Sequence, residues 1–215
     1  MATNHPDAQI EKQIRSLWSA HKRLIIGTIT AMLIMVMGWS AYQQYQQRNM
    51  AQAASAYYIL VPAFQNEDTK PALEQVHDIQ QRYPHSIYAG LSTLHAVKHY
   101  VAHQQYDEAI NALEWIEAHS EDLLPTVAKL KRARIYLAQN HAEKALEITQ
   151  NNPYYHAENA LIKGDAYLAL KQYPQARAAY KQAMQYASSH KQYALKTLAS
   201  MKYSHINTVN DNQPQ

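Results

Sequence analysis

One frame of small and aromatic residues recurs along this chain, and a chain written that way folds by stacking copies of a single helical unit. In the clearest copy, Ala157–Met184, the frame is held by Gly164, Tyr167, Tyr173, Ala176, Tyr180 and Ala183. The segment from Gly90 repeats it with Val97, Tyr100, Tyr106, Ala109, Leu113 and Ile116, and the segment from Thr126 with Ala133, Tyr136, Ala142 and Ala145. Tyr100, Tyr136 and Tyr167 set the intervals at 36 and 31 residues. The spacing has a packing cause. Two antiparallel helices approach closely only where their crossing points carry Ala or Gly, and Ala109, Ala145 and Ala176 supply that position. The tyrosines fill the space between successive pairs, which no single pair encloses, so three or more units are needed.

The frame resembles a tetratricopeptide repeat. A weaker copy over Ala53–Ser86 keeps Ala72, Val76, Ile79 and Pro84 but places Ala63 where the others have tyrosine, and reads as a degenerate first repeat. At the other end His190–Ile206 sets Ala194, Leu195, Leu198 and Met201 at helical spacing with no partner helix after it, as a capping helix does. The expected fold is all-α: one N-terminal transmembrane helix, then a tetratricopeptide-like α-solenoid of three to four helix pairs closed by a C-terminal cap.

Ahead of the repeats lies Leu24–Tyr42, LIIGTITAMLIMVMGWSAY, nineteen residues without a charge. As helix it reaches about 28 Å against a hydrocarbon core of roughly 30 Å. Its Leu, Ile and Val side chains contribute about −2 to −4 kcal/mol to insertion, with no charged residue to oppose them. Trp39, Tyr42 and Tyr45 suit the far interface. Lys12, Arg15, Lys22 and Arg23 precede the span whereas only Arg48 follows it closely, so the positive-inside rule keeps the N-terminus in the cytoplasm and exports the repeats. A cleaved signal peptide is the competing reading, with small residues at Ala51–Ala56, but the long apolar run and late site favour an uncleaved anchor. The expected organisation is a cytoplasmic arm over 1–23, an anchor over 24–42 in contact with the lipid bilayer, a juxtamembrane linker helix over 43–52, a periplasmic repeat domain over 53–206 and a disordered tail over 207–215.

Composition narrows the function. From Ala51 onward basic and acidic side chains balance at fifteen each, so the net charge of +3 arises around the arm and the anchor, and the exported domain does not read as a nucleic-acid binder. Cysteine is absent, which removes disulfides, thiol nucleophiles and thiolate metal sites. Of four glycines, Gly27 and Gly38 fall in the anchor, leaving no glycine-rich loop to cradle a phosphate. No cofactor is expected and the chain does not read as an enzyme. His95, His99 and His103 form an i, i+4, i+8 stripe, the one constellation that resembles a metal site. No HExxH motif accompanies it and no carboxylate stands in the same turns, so a solvated polar helix face is the expectation. Acidic Asp107, Glu108, Glu114, Glu117, Glu121 and Asp122 are followed by basic Lys129, Lys131, Arg132 and Arg134, which reads first as neighbouring helices pairing across a turn.

In a tetratricopeptide array, binding occurs on the inner face lined by the first helix of each pair. Carried onto this chain, that frame selects Tyr57 and Phe64, then Leu94, Lys98 and Val101, then Leu130, Arg134 and Leu137, then Leu161, Asp165 and Leu168. This is an apolar groove with scattered charge. Apolar contacts tolerate many sequences while Lys98, Arg134 and Asp165 orient backbone or termini, so such a groove suits extended or unfolded segments. The competing reading makes some of these leucines ordinary core.

Over nearly its whole length the chain also resembles the ancillary SecYEG translocon subunit family. The likeness covers the arm IEKQIRSLWSAHKR, the span ending GWSAY, and AGLSTLHAVKHYVAHQQYDEAINALEWI. It continues through KLKRARIYLAQNHAEKALEI, KGDAYLALKQYPQARAAYKQAM and ALKTLASMKYSHIN. The resemblance implies a single-pass inner-membrane protein beside the SecYEG translocon. Its implied partners are a membrane-anchored periplasmic prolyl-isomerase-like chaperone and secretory client chains, which it passes toward periplasmic chaperones. It brings no catalytic residue. It also raises modulation of an envelope stress response from the arm, where no motif is readable. A scaffold of another envelope assembly, such as cytochrome maturation or cell division, is the alternative.

Overall fold

The computed structural model describes residues 6–65, 69–150 and 154–211, and among these every regular element is a helix. Helix α1 runs Pro6–Ala63, α2 Lys70–Arg82, α3 Ile87–Ala102, α4 Tyr106–His119 and α5 Leu124–Ala138. Then follow α6 Ala142–Thr149, α7 His156–Ala169, α8 Tyr173–Ser189 and α9 Tyr193–Asp211. The chain divides at Ala51 and Gln52 into two compact units.

The first unit is the N-terminal stretch of α1. From Pro6 onward the expected arm, the anchor and the linker lie on one helix, with no break at either end of the apolar run. From Ile26 onward the large apolar side chains stand exposed, Met35 and Trp39 included, so no protein core explains them. A helix long and apolar enough to cross a bilayer, and unburied throughout that window, is what a membrane anchor requires. The side chains of Lys12, Arg15 and Lys22, on which the orientation argument rests, lie outside the described residues.

The second unit is a solenoid. The last turns of α1 share a core with α2, and α3 pairs with α4, α5 with α6 and α7 with α8. Each helix packs on the next from α2 onward, while α5 also packs on α7 and α7 on α9. The repeat frame explains this order. Ala109, Ala145 and Ala176 are fully buried at the helix crossings. The degenerate first copy holds a core as well, with Leu60 of α1 against Ala72, Val76 and Ile79 of α2. Tyr100 touches both the first cluster and the one formed by Val97, Ala109, Leu113 and Ile116, so it joins successive pairs.

The turns repeat as faithfully as the helices. Gln104, Asn140 and Lys171 each take a left-handed conformation, with φ of 60°, 62° and 59°. In each turn the next residue's N–H reaches back to a tyrosine carbonyl at 2.8 Å: Gln105 to Tyr100, His141 to Tyr136 and Gln172 to Tyr167. This is the Schellman ending, which satisfies carbonyls the helix leaves unpaired. Lys191 makes the same turn between α8 and α9, with Gln192 N–H on the Ala187 carbonyl at 2.8 Å. The tyrosine that defines the frame therefore sits where the first helix of each pair must stop.

Helix α9 differs from its expected form in two ways. It continues to Asp211, into the segment read as a disordered tail, and the four residues beyond lie outside the described ones. Its inward face is Leu195, Ala199, Tyr203 and Ile206, whereas Leu198 and Met201 are exposed. A helix with a partner on one side only buries one stripe, and those two residues fall on the other.

Candidate functional site

The first helices of the pairs place the eleven candidate groove residues in three distinct settings. Leu130 and Leu161 are each only 3% exposed and sit inside the core, Leu130 with Ala133, Ala142, Ala145 and Ile162, and Leu161 with Ala160, Ala176 and Tyr180. For these two the groove assignment is replaced by the core one. A helix packed against both its own partner and the next pair turns more than one stripe inward, and period alone does not separate that stripe from the open face. Leu94, Leu137 and Leu168 are half-buried at the margins of the same clusters, and Val101 is exposed.

The charged members also divide. Asp165 is not open to a ligand: it accepts the Tyr180 hydroxyl at 2.6 Å and the Lys202 ammonium at 2.7 Å, tying α7 to α8 and α9. Tyr180 is fully buried, and burial, followed by the hydrogen bond to Asp165 and the charge of that carboxylate, holds its hydroxyl far above the ordinary tyrosine range. Arg134 reaches Glu158 on α7 at 2.9 Å from an exposed position. Lys98 is exposed on α3. Of the charge blocks, Arg132 bridges α5 to α4 through Glu114 at 2.8 Å and Glu117 at 2.9 Å. Burial outweighs the Arg132 contact at Glu117 and raises its carboxyl above the usual range.

Two depressions open on the first-helix side. The larger, about 730 Å³, is bordered by Arg134 of α5, by Tyr155, His156 and Glu158 at the start of α7, and by Tyr193 and Leu198 of α9. Of these only Arg134 belongs to the expected groove. The first turns of α7 and α9 fall ahead of the positions that the repeat frame selects, so the frame does not mark them. Tyr155 carries a visible mark of this, being held left-handed at φ 53° immediately before α7. The smaller depression, about 390 Å³, collects Phe64 just past α1, Thr69 ahead of α2, His95, Lys98 and His99 of α3, and His103 at its C-terminal cap.

The smaller site corrects the reading of the histidine stripe. His95 and His99 are half-buried beneath the end of α1, not laid on a solvated face. The Phe64 ring stacks on His95 with centroids 5.9 Å apart and tilts over His99 at 6.2 Å. The Tyr57 hydroxyl lies 3.3 Å from His95 Nε2, and the Thr69 hydroxyl 3.4 Å from His99 Nε2. Burial lowers both imidazoles below the ordinary histidine value, aided by Lys98 at His95 and by His103 at His99. Tyr57 and Phe64, selected from the repeat frame, are the residues that make this environment.

A family model described as tetratricopeptide repeat-like domain matches residues 15–208. Three curated proteins named ancillary SecYEG translocon subunit are similar over most of their length. The one from Neisseria gonorrhoeae is 24% identical over 86% of this chain and 90% of its own. That from Aggregatibacter actinomycetemcomitans is 26% identical over 88% and 94%, and that from Haemophilus influenzae 22% identical over 96% and 100%. No solved structure matches.

Proposed function

We propose, from the premise that this chain belongs to the tetratricopeptide repeat-like domain family, that it is a non-enzymatic scaffold tethered beside the SecYEG translocon. The arm lies in the cytoplasm, the anchor crosses the inner membrane once and the repeat unit lies in the periplasm. There it binds emerging secretory chains and a membrane-anchored prolyl-isomerase-like chaperone, and helps pass the chains to the periplasmic chaperone network. The observation that carries this reading is the joining of an unburied apolar helix to one solenoid unit, in a chain similar along most of its length to proteins named as translocon subunits.

The mechanism is confinement. A tether holds the inner face within reach of the translocon exit and raises its effective concentration to about the millimolar range, so weak contacts suffice. The half-buried leucines 94, 137 and 168 and the exposed Lys98 and Val101 offer such contacts without demanding one sequence. A photocrosslinking amino acid at Leu94, Lys98, Leu137 or Leu168, incorporated in cells during secretion, tests the reading. Adducts with secretory chains or with the chaperone are expected. With the same amino acid also placed on the acidic outer helix α4, adducts from α4 and none from these four positions would remove the inner face from the account.

A further inference from the structure

We propose that the smaller depression, beneath the end of α1, is a docking subsite for an extended polypeptide segment bearing carboxylate side chains. The inference rests on the groove reading above and deepens it by giving one end of the groove a charge preference. Among the described residues that border the depression none is Asp or Glu, whereas Lys98 supplies an ammonium and His95, His99 and His103 supply three imidazoles. Helix α3 carries no acidic residue at all, and its partner α4 carries four and no lysine or arginine. An acidic segment is therefore attracted to one side of this helix pair and repelled from the other, which fixes where it docks as well as that it docks. A volume of about 390 Å³ accommodates a few side chains of an extended strand, and Phe64 and Val61 give their apolar portions a floor.

The hydrogen bonds say how the imidazoles take part. The His103 Nδ1 contact with the His99 carbonyl, at 2.8 Å, requires that nitrogen to carry the proton, so His103 donates from its other nitrogen only when doubly protonated. His99 and His103 stand with ring centroids 4.1 Å apart, and a charge on His103 opposes protonation of His99. A carboxylate placed between them and Lys98 offsets that repulsion, so docking draws in protons and strengthens as pH falls through the histidine range. Among the described residues, the polar groups facing this site are the Tyr57 hydroxyl from α1, Thr69 ahead of α2, His95, Lys98 and His99 of α3, and His103 at its C-terminal cap. Across the pair, Glu108 of α4 acts on Tyr100. Glu67 and Asp68 precede Thr69 in sequence and lie outside the described residues.

Fluorescence anisotropy of the full chain in lipid nanodiscs tests this, with three labelled dodecapeptides that share the same aliphatic and aromatic residues. One carries four glutamates, one four glutamines and one four lysines. At pH 6.0 the glutamate peptide is expected to bind about tenfold more tightly than the glutamine peptide, and less so at pH 8.0. Lys98→Gln with His99→Gln brings that ratio to about one, and Lys98→Glu, a change at an exposed position that leaves the core intact, turns the preference toward the lysine peptide. Equal binding of all three peptides by the unaltered protein overturns the carboxylate assignment while leaving the groove standing. Binding of none of them overturns the groove reading too. A glutamate preference that survives both sets of substitutions overturns the assignment to this depression. A tenfold or greater gain in glutamate-peptide binding on Glu67→Gln with Asp68→Asn overturns it as well, because the chain's own acids then occupy the site.

Discussion

A methyl group added at Gly164 has no space to enter. Built on the α7 backbone, it overlaps Cε1 and Cδ1 of the Tyr180 ring and meets Cζ at 2.9 Å, all closer than the 3.0 Å at which something must shift. The ring cannot swing away, since it is fully buried against Ala160, Ala176 and Ala183 and its hydroxyl is bound to Asp165. Helix α7 must then separate from α8. Overpacking of this kind costs about 1–3 kcal/mol, and a rigid partner puts it at the upper end. Alanine regains about 1 kcal/mol over glycine as a helix former, leaving a net loss of about 2 kcal/mol. Gly90 is the internal comparison. A methyl group there meets Leu124 Cδ1 and Ser120 Oγ at 2.8 Å, the ends of side chains free to rotate, so Gly90→Ala stays within about 1 kcal/mol of the unaltered protein. Urea unfolding of the detergent-solubilised protein, followed by circular dichroism, measures both. Hydrogen exchange across α7 and α8 locates the loss, and a Tyr180→Leu background should abolish most of it. Gly164→Ala as stable as the unaltered protein, or less harmful than Gly90→Ala, would refute the close-crossing argument for the whole repeat.

Asp165→Ala removes the acceptor shared by Tyr180 and Lys202 and strands a buried hydroxyl; we expect a loss of about 2–3 kcal/mol in the same unfolding assay, with faster hydrogen exchange in α9. Peptide binding at the inner face should change little, since this carboxylate is already occupied. Lys171→Gly relieves a left-handed conformation that side chains disfavour and should stabilise the protein by about 0.5–1 kcal/mol in urea titration. His95 and His99 have folded-state pKa values below the ordinary 6.5, so the unfolded chain binds more protons between those values and 6.5. Their contribution is thus complete above pH 6.5 and is lost as pH falls through 6.5 toward the folded values. His95→Gln with His99→Gln should flatten the melting temperature across that window relative to the unaltered protein.

Much of the fold was legible because its cause is local. The small residue and the tyrosine stand at fixed offsets, and the same tyrosines prove to end the first helix of each pair through one hydrogen-bonded turn. The apolar run needed only length and charge to be read. The site was less legible because side-chain direction depends on neighbours far away in sequence. Leu130 and Leu161 hold the same frame position as Leu94 and differ from it in what the adjacent pair presses against them. Asp165 looked like a ligand-facing charge until Lys202, from a helix that begins twenty-eight residues later, proved to bind it. The histidine stripe looked solvated because nothing in its own helix shows that the turn after α1 lays Phe64 over His95 and His99. The mouth formed by Tyr155, His156 and Tyr193 lies where helices begin, ahead of the positions at which the frame repeats.

Extraction of the tagged full-length protein in mild detergent, followed by native pull-down and mass spectrometry of what stays bound, tests the tethered-scaffold account most directly. The account predicts SecY, SecE or SecG recovered together with a membrane-anchored periplasmic chaperone, and their loss when Leu24–Tyr42 is replaced by an unrelated membrane span of equal length. Recovery of a different envelope machine, such as one for cytochrome maturation or cell division, with no translocon subunit, would contradict it.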